Sequence, residues 1–359
     1  MQPPVRRIEL PWGGTAHYHS HLGVSRKRLL PAAFHGLGLA RAGLHLPLAW
    51  APPTARHRAL WRTLLELKPD VVVADETWLA PYAAFAPARC RVVHTHNLES
   101  AASREFAATG ANSAHHRRMA RRYAQVEREL LPRVDQVWGV REEDLDAYAA
   151  AGVARSALRL VPNAVPDAAF HPAPAPGEAG LGLFVGSLWH PPNLAAAQAL
   201  ADLAQALARR GVAARLVVAG RGAPPELVAR AEGIPSFELA GFVEDLPALL
   251  RRAAVVVVPM RGGGGTKLKL IEAMAAGRPI LTTPEGAAGL GLEDGAHAWI
   301  LPLGDAFLDT LAELLARPEA HLAMGLRAQA LARERYSLKA LRDAVGRALS
   351  ELGFSKSAG

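Results

Sequence analysis

The sequence predicts an α/β protein made of two doubly wound parallel-sheet domains that face each other across a cleft. Three observations carry this. Short apolar, β-branched runs alternate with longer helical patterns along the whole chain, as in strand–helix–strand units. A length of 359 residues suits about two domains. The Pro-Ala-rich stretch AFHPAPAPGEAG, residues 169–180, breaks all periodicity and splits the alternation into two series.

In the first series, strands are expected at Val5–Leu10, His45–Trp50, Asp70–Ala74, Arg91–His96, Gln136–Val140 and Leu158–Val161. Helices fall between them, notably around Arg56–Leu67 and Ser113–Arg133. The second series places strands at Gly182–Val185, Arg215–Ala219, Ser236–Leu239, Ala254–Pro259, Pro279–Thr283 and His297–Leu301. Its helices are Leu194–Arg210, Pro225–Glu232, Asp245–Arg252 and Thr266–Ala276. Residues Asp305–Leu352 read as helical with a break near Tyr336–Ser337. The expected division is therefore 1–168, a linker at 169–180, and 181–337, with a helix at about 338–359 crossing back onto the first domain.

Composition narrows the functional classes. Hydrophobic residues make up 50% and charged residues 21%, enough apolar material for two large cores. Cys90 is the single cysteine, which excludes an internal disulfide framework and fits a reducing compartment. The start MQPPVRRIELPWGG has no long apolar run after its arginines, so no secretory signal is expected and a cytoplasmic location is. Leu29–Trp50 is apolar but broken by His35, Arg41 and His45, and reads as a helix followed by a strand at Gly43–Trp50, not as a membrane span.

The formal charge is +8. In HHRRMARR, residues 115–122, Arg117/Arg121 and Arg118/Arg122 stand at helical i,i+4 spacing and form a basic stripe. It is either a solvated face or a patch for an anionic membrane surface. Aromatic residues are only 6% and none interleave with these arginines, so nucleic acid is not an expected partner.

The most informative stretch is VVVVPMRGGGGTKLKLIEAMAAGRPI, residues 255–280. A buried strand ends at Pro259, Gly262–Gly265 follow, and Leu268, Ile271 and Ala275 then recur at helical spacing until Gly277. A glycine loop leading into a helix N-terminus offers free backbone N–H groups to an anion, usually phosphate. The alternative is a flexible connector with a surface Lys269–Glu272 ion pair. Lysine usage argues for the anion: the chain has only six lysines, and Lys267 and Lys269 lie beside this loop.

The order and spacing of these segments resemble retaining nucleotide-sugar glycosyltransferases of the GT-B fold, specifically glycosyltransferase family 4. The resemblance rests on GGGGTKLKLIEAMAAGRPILTT, FVGSLWHPPN, VVAGRG, LAGFVEDLPALL, VVHTHNLES and VPNAVPDAAF, and covers nearly the whole chain. It implies transfer of a sugar from a nucleotide diphosphate to an acceptor hydroxyl, with no cofactor and no metal required. The acceptor would be a glycan, a lipid-linked sugar or a small molecule, in cell-surface glycan or glycolipid synthesis, with peripheral contact at the inner membrane face.

By resemblance, Glu272 holds the nucleotide ribose hydroxyls, Phe242 and Val243 border the base, and Gly186 and Arg221 lie in the flanking donor turns. Gly263, Gly264, Gly265 and Thr266 supply backbone N–H groups to the sugar or diphosphate. Lys267 is the first candidate for the diphosphate countercharge, with Arg261 and Lys269 behind it. Gly13 and Gly14 resemble the glycine turn after the first strand, which opens a helix, and His96 matches the histidine that reaches into the cleft. The Phe242 side chain itself is expected in the core.

Two departures stand out. The first of the family's two glutamates is replaced by Gly264, and its Arg/Lys pair is absent from GSLWHPPN. Acceptor choice is expected from loops at Ala101–Asn112 and around Glu76–Tyr82. His17, His19 and His21 lack accompanying carboxylate or cysteine ligands for a metal site. Asp144–Asp146, the triplet DLD, is expected on a solvated helix face. A sugar-nucleotide 2-epimerase of the same fold and a basic nucleic-acid-binding protein are the competing readings.

Overall fold

The computed structural model describes residues 5–9, 15–19, 62–108, 113–172 and 175–354. Near the start, β1 (Val5–Glu9) pairs antiparallel with β2 (Thr15–His19), Glu9 opposite Thr15. The helix expected after Gly14 is thus replaced by a strand. LPWGG between the two strands has hairpin-turn composition, and Thr15 and Tyr18 favour extended backbone. Gly13 and Gly14, His21, the expected strand at His45–Trp50 and the first half of Arg56–Leu67 lie outside the described residues; 62–67 are helical.

A four-stranded parallel sheet follows: β3 (Val71–Asp75), β4 (Cys90–Thr95), β5 (Gln136–Gly139) and β6 (Leu158–Leu160), in that order. Between them run α1 (Ala80–Phe85), α2 (Glu99–Ala108), α3 (Ser113–Glu129) and α4 (Glu142–Ala150). The expected acceptor loops are therefore largely helical. ESAASREFAA is rich in helix formers, and Glu99 in its first turn suits the positive end of the helix dipole.

The second sheet is parallel and six-stranded, ordered β12-β11-β10-β7-β8-β9. Its strands are β7 (Glu178–Val185), β8 (Arg215–Ala219), β9 (Phe237–Gly241), β10 (Ala253–Val258), β11 (Ile280–Thr282) and β12 (Trp299–Ile300). Helices α5 (Pro191–Arg209), α6 (Pro225–Glu232), α7 (Leu246–Arg252) and α8 (Leu268–Ala275) alternate with them. Every residue of β10 is buried, as expected for a strand covered on both faces. Regular structure starts at Glu178, so the last residues of the expected linker are already strand.

Helices α9 (Asp305–Ala316), α10 (Leu322–Arg335) and α11 (Leu338–Glu351) complete the chain. The break before α11 is a capped helix start: Ser337 Oγ accepts from Ala340 N at 3.2 Å. Beyond it α11 leaves the second domain and packs on the first, where Ala348 is fully buried with Val92, Trp138 and Val161. Gln136 Nε2 donates to the Ala348 carbonyl at 3.0 Å. Among the described residues no helix is long and apolar enough to cross a membrane.

Arg278, fully buried, fastens the linker to the second sheet. Its guanidinium donates to the carbonyls of Ala175 at 2.7 Å and Arg251 at 2.9 Å. Replacement by alanine leaves these acceptors unmatched in a dry site. Arg278→Ala is expected to cost about 2–4 kcal/mol, read as a lower urea midpoint; an unchanged midpoint would contradict this role.

Candidate active site

Parallel α/β sheets bind ligands beyond the C-terminal ends of their strands, and there the two sheets meet. The segment 259–267 leaves β10 and enters α8. Gly263 and Gly265 have φ of 108° and 64°, conformations that strain any residue with a Cβ. A Cβ at Gly265 would collide with Asn97 Oδ1 and sit 2.8 Å from the His96 carbonyl; one at Gly262 would meet only the tip of the Glu105 side chain, which can swing aside. At Gly265 glycine is thus required by close approach of the loop to the first domain. Gly264 is different: its Cβ would meet Asn97 Oδ1 at 3.7 Å and Ala102 Cβ at 3.8 Å, ordinary contacts.

The two lysines do different things. Lys267 is buried and turned back into the loop, its Nζ donating to the Gly263 carbonyl and, at 3.3 Å, to that of Gly265. It clamps the loop. Lys269, on the first turn of α8, reaches the other way: its Nζ donates to Asn193 Oδ1 at 3.0 Å and stands 5.6 Å from the Phe184 ring centroid. Asn193 Nδ2 is engaged by the Ser187 carbonyl at 2.8 Å, and a Cβ at Gly186 would lie 2.9 Å from this amide. Gly186, Asn193 and Lys269 therefore form one corner of the cleft. Burial, reinforced by Lys267, pulls the Lys269 ammonium down to about 8. Burial likewise pushes the Glu272 carboxyl up, with Lys269 pulling against it. Thr266 Oγ1 is buried in the same loop without a hydrogen-bond partner.

At the rim, Phe242 is 65% exposed, against the expectation of a core side chain. Gly241, with φ of 64°, turns the chain out of β9 just before it. The Arg221 guanidinium covers its ring, 4.2 Å from the centroid. Val243 packs against the domain core. Trp189, which the sequence reading missed, is 73% exposed and lies over Gly222, where a Cβ would come within 2.7 Å of its ring. A groove of about 700 Å³ runs beneath Arg221, Gly222 and Leu239. Arg261 is exposed at the start of the glycine loop.

From the first domain, His96 follows β4 and its Nε2 lies 2.9 Å from Asp75 Oδ1, at the end of β3. His94 Nδ1 is 2.9 Å from the same oxygen. The two imidazoles hold the Asp75 carboxyl well below the usual carboxylate range. Asp75, the largest influence, raises His96 above its ordinary value, with burial opposing and Glu76 and Asn163 adding to it. Arg141 and Asp144, nearby, form a buried ion pair. The solvated face expected for Asp144–Asp146 is thus corrected at Asp144, which is only 3% exposed; Asp146 pairs with Arg155 at the surface.

Residues 16–169 match the family model described as Glycosyltransferase Family 4, and residues 180–317 the one described as Glycosyl transferases group 1. The chain belongs to the GT-B glycosyltransferases. Solved structures of similar fold include TarM, at 15% identity and a TM-score of 0.66, covering 82% of this chain and 57% of TarM. Another is HepE of Anabaena in complex with UDP, at 16% identity and a TM-score of 0.63, covering 82% of this chain and 81% of HepE. Sucrose-phosphate synthase from Thermosynechococcus elongatus follows at 17% identity and 0.63, covering 85% and 82%. A curated relative, the phosphatidyl-myo-inositol mannosyltransferase of Mycobacterium leprae, is 35% identical over 106 residues, 28% of each chain. The match to this relative spans little more than a quarter of its length.

Within this GT-B frame the second domain brings together Gly186, Lys269, Glu272 and the glycine loop, with Arg221, Phe242 and Val243 on the rim; the His96 main chain meets the loop from the first domain. Asp75 and Asn193 were not singled out as site residues, although Asp75 closes the apolar run VVVAD at a strand end and Asn193 stands in a motif already in view. The glycines separate by sterics. Gly265→Ala is expected to destabilise the fold by about 1–3 kcal/mol, and Gly264→Ala by less than about 1 kcal/mol. Equal losses in thermal or urea unfolding would contradict the geometry.

Proposed function

We propose that the protein transfers a sugar from a nucleotide-diphosphate sugar to an acceptor hydroxyl with retention of anomeric configuration, and needs no metal or cofactor. The observation that carries this reading is Lys269: a half-buried lysine whose ammonium is bonded to one neutral amide, beside a loop of backbone N–H groups at a helix start. A desolvated cation with donors to spare suits a dianionic diphosphate. Glu272, three residues along α8, is placed to accept from ribose hydroxyls, and the Arg221–Phe242 rim offers a stacking surface for a base.

In this reading the bond from the sugar anomeric carbon to the diphosphate oxygen breaks and a bond to the acceptor oxygen forms on the same face. The diphosphate leaves with the electron pair and takes the acceptor proton. Lys269 and the loop amides stabilise the departing charge, and His96 faces it from the first domain. The UDP complex of HepE and the mannosyltransferase relative support a sugar-nucleotide donor and a glycan or glycolipid product. Exposed Arg117, Arg118 and Arg121 on α3 support contact with anionic lipid at the inner membrane face of the cytoplasm.

A thermal-shift screen of nucleotide sugars tests the reading: one donor should raise the midpoint by mass action, and no stabilisation by any would overturn it. Lys269→Met should weaken that donor by about tenfold or more. Because Lys269 loses its charge as pH rises through about 8, affinity should fall several-fold between about pH 7 and 9. The Lys269→Met protein should show a flat profile. Incubation without acceptor separates the epimerase reading, which predicts an epimerised sugar nucleotide. Vesicles containing anionic lipid should bind the protein at low salt and release it at high salt; no binding removes the membrane assignment.

A further inference from the structure

The pair of parallel strands β3 and β4 places Asp75 directly opposite His94 in register, and His96 two residues beyond. One carboxylate oxygen therefore serves two imidazoles, each at 2.9 Å, and the rings stand 4.5 Å apart between centroids. Asn163, after β6, adds to the rise of the His96 imidazole. The His96 main chain lies against Gly265 of the opposite domain.

We propose that Asp75 is a positioning residue for His96, fixing through Oδ1 both the ring orientation and the protonated form in which His96 faces the donor loop. His94 shares the task by holding Asp75 Oδ1 in place from the next strand. The inference rests on the function proposed above and extends it to a residue that touches no reactant. The surroundings favour a cation. Asp75 and Glu76 close β3, Glu99 starts α2, and the negative charge of each lies near His96. The loop opposite contributes Gly265, which carries no charge, and the Lys267 ammonium is spent on that loop's own carbonyls. An imidazolium fixed there stabilises negative charge as it develops on the leaving diphosphate, and its orientation costs no rearrangement during reaction.

The test is Asp75→Asn in the full chain, with histidine ring-nitrogen NMR across pH alongside kinetics. Asparagine keeps the size and loses the charge. The His96 titration midpoint is expected to fall by about one unit or more, and kcat by about tenfold or more at neutral pH with donor Kd within about threefold. Asp75→Glu should recover part of both. A midpoint and kcat equal to the parent would overturn the proposal. Should Asp75→Asn fail to fold, His94→Gln carries the test: smaller changes in the same directions are expected, and none would count against it. If the parent turns over no nucleotide sugar, the proposed function fails, while the ring titration still decides whether Asp75 governs His96.

Discussion

The close approach of the glycine loop to the His96–Asn97 main chain is the constraint from which the site follows. Two parallel sheets present their C-terminal ends to each other, and there is no room for a Cβ at Gly265. Only a chain without side chains can run through so narrow a gap and still turn its amides toward a ligand. Such a loop has little to hold it in shape, because glycine loses more backbone entropy on ordering than other residues do. Lys267 supplies what side-chain packing cannot, tying the carbonyls of Gly263 and Gly265 to one ammonium. Rigidity in the loop thus comes from a charge placed inside it.

That use of Lys267 decides what is left for the substrate. The second domain buries two cations near or behind the loop and half-buries a third. Arg278 is matched by main-chain carbonyls, and Lys267 likewise. Lys269 alone is left with a single neutral amide partner, and burial depresses its ammonium. Partnered cations in a dry interior hold structure; an under-partnered one raises the affinity of the place for an anion. The sequence put Lys267 first for the diphosphate, with Arg261 and Lys269 behind it. Helical geometry separates the two lysines: Lys267 precedes the helix and folds onto the loop, whereas Lys269 on the first turn projects toward β7 and Asn193.

Much of the fold was legible because buried parallel strands are short, apolar and β-branched. Arg215–Ala219 and Pro225–Glu232 appear at the expected bounds, and others differ by a few residues. Misreadings cluster where tertiary contact overrides local pattern. Asp144 sits in a charged helical run, yet Arg141 draws it inward; Phe242 follows an apolar strand, yet a left-handed glycine turns it outward. The β1–β2 hairpin, expected as a strand–helix unit, shows a turn signal outweighed by resemblance. Asp75 escaped notice for another reason: its partners lie on a neighbouring strand, and pairing register is not written in the spacing of either.

The two departures from the family pattern are coupled by electrostatics. In the proposed reading a carboxylate at position 264 would stand at the mouth of the diphosphate site, where at about 5 Å and an effective dielectric near 20 it would repel one phosphate charge by roughly 3 kcal/mol. A site carrying that carboxylate needs more than one cation to hold the donor. With Gly264 in its place the repulsion is absent, and in the proposed reading a single ammonium on α8 can serve the donor. Gly264 has ordinary space around its Cβ, so sterics do not demand glycine there as they do at Gly265. Charge balance excludes a carboxylate there without demanding glycine: in the proposed donor site, adding one back beside Lys269 alone would leave the diphosphate underneutralised.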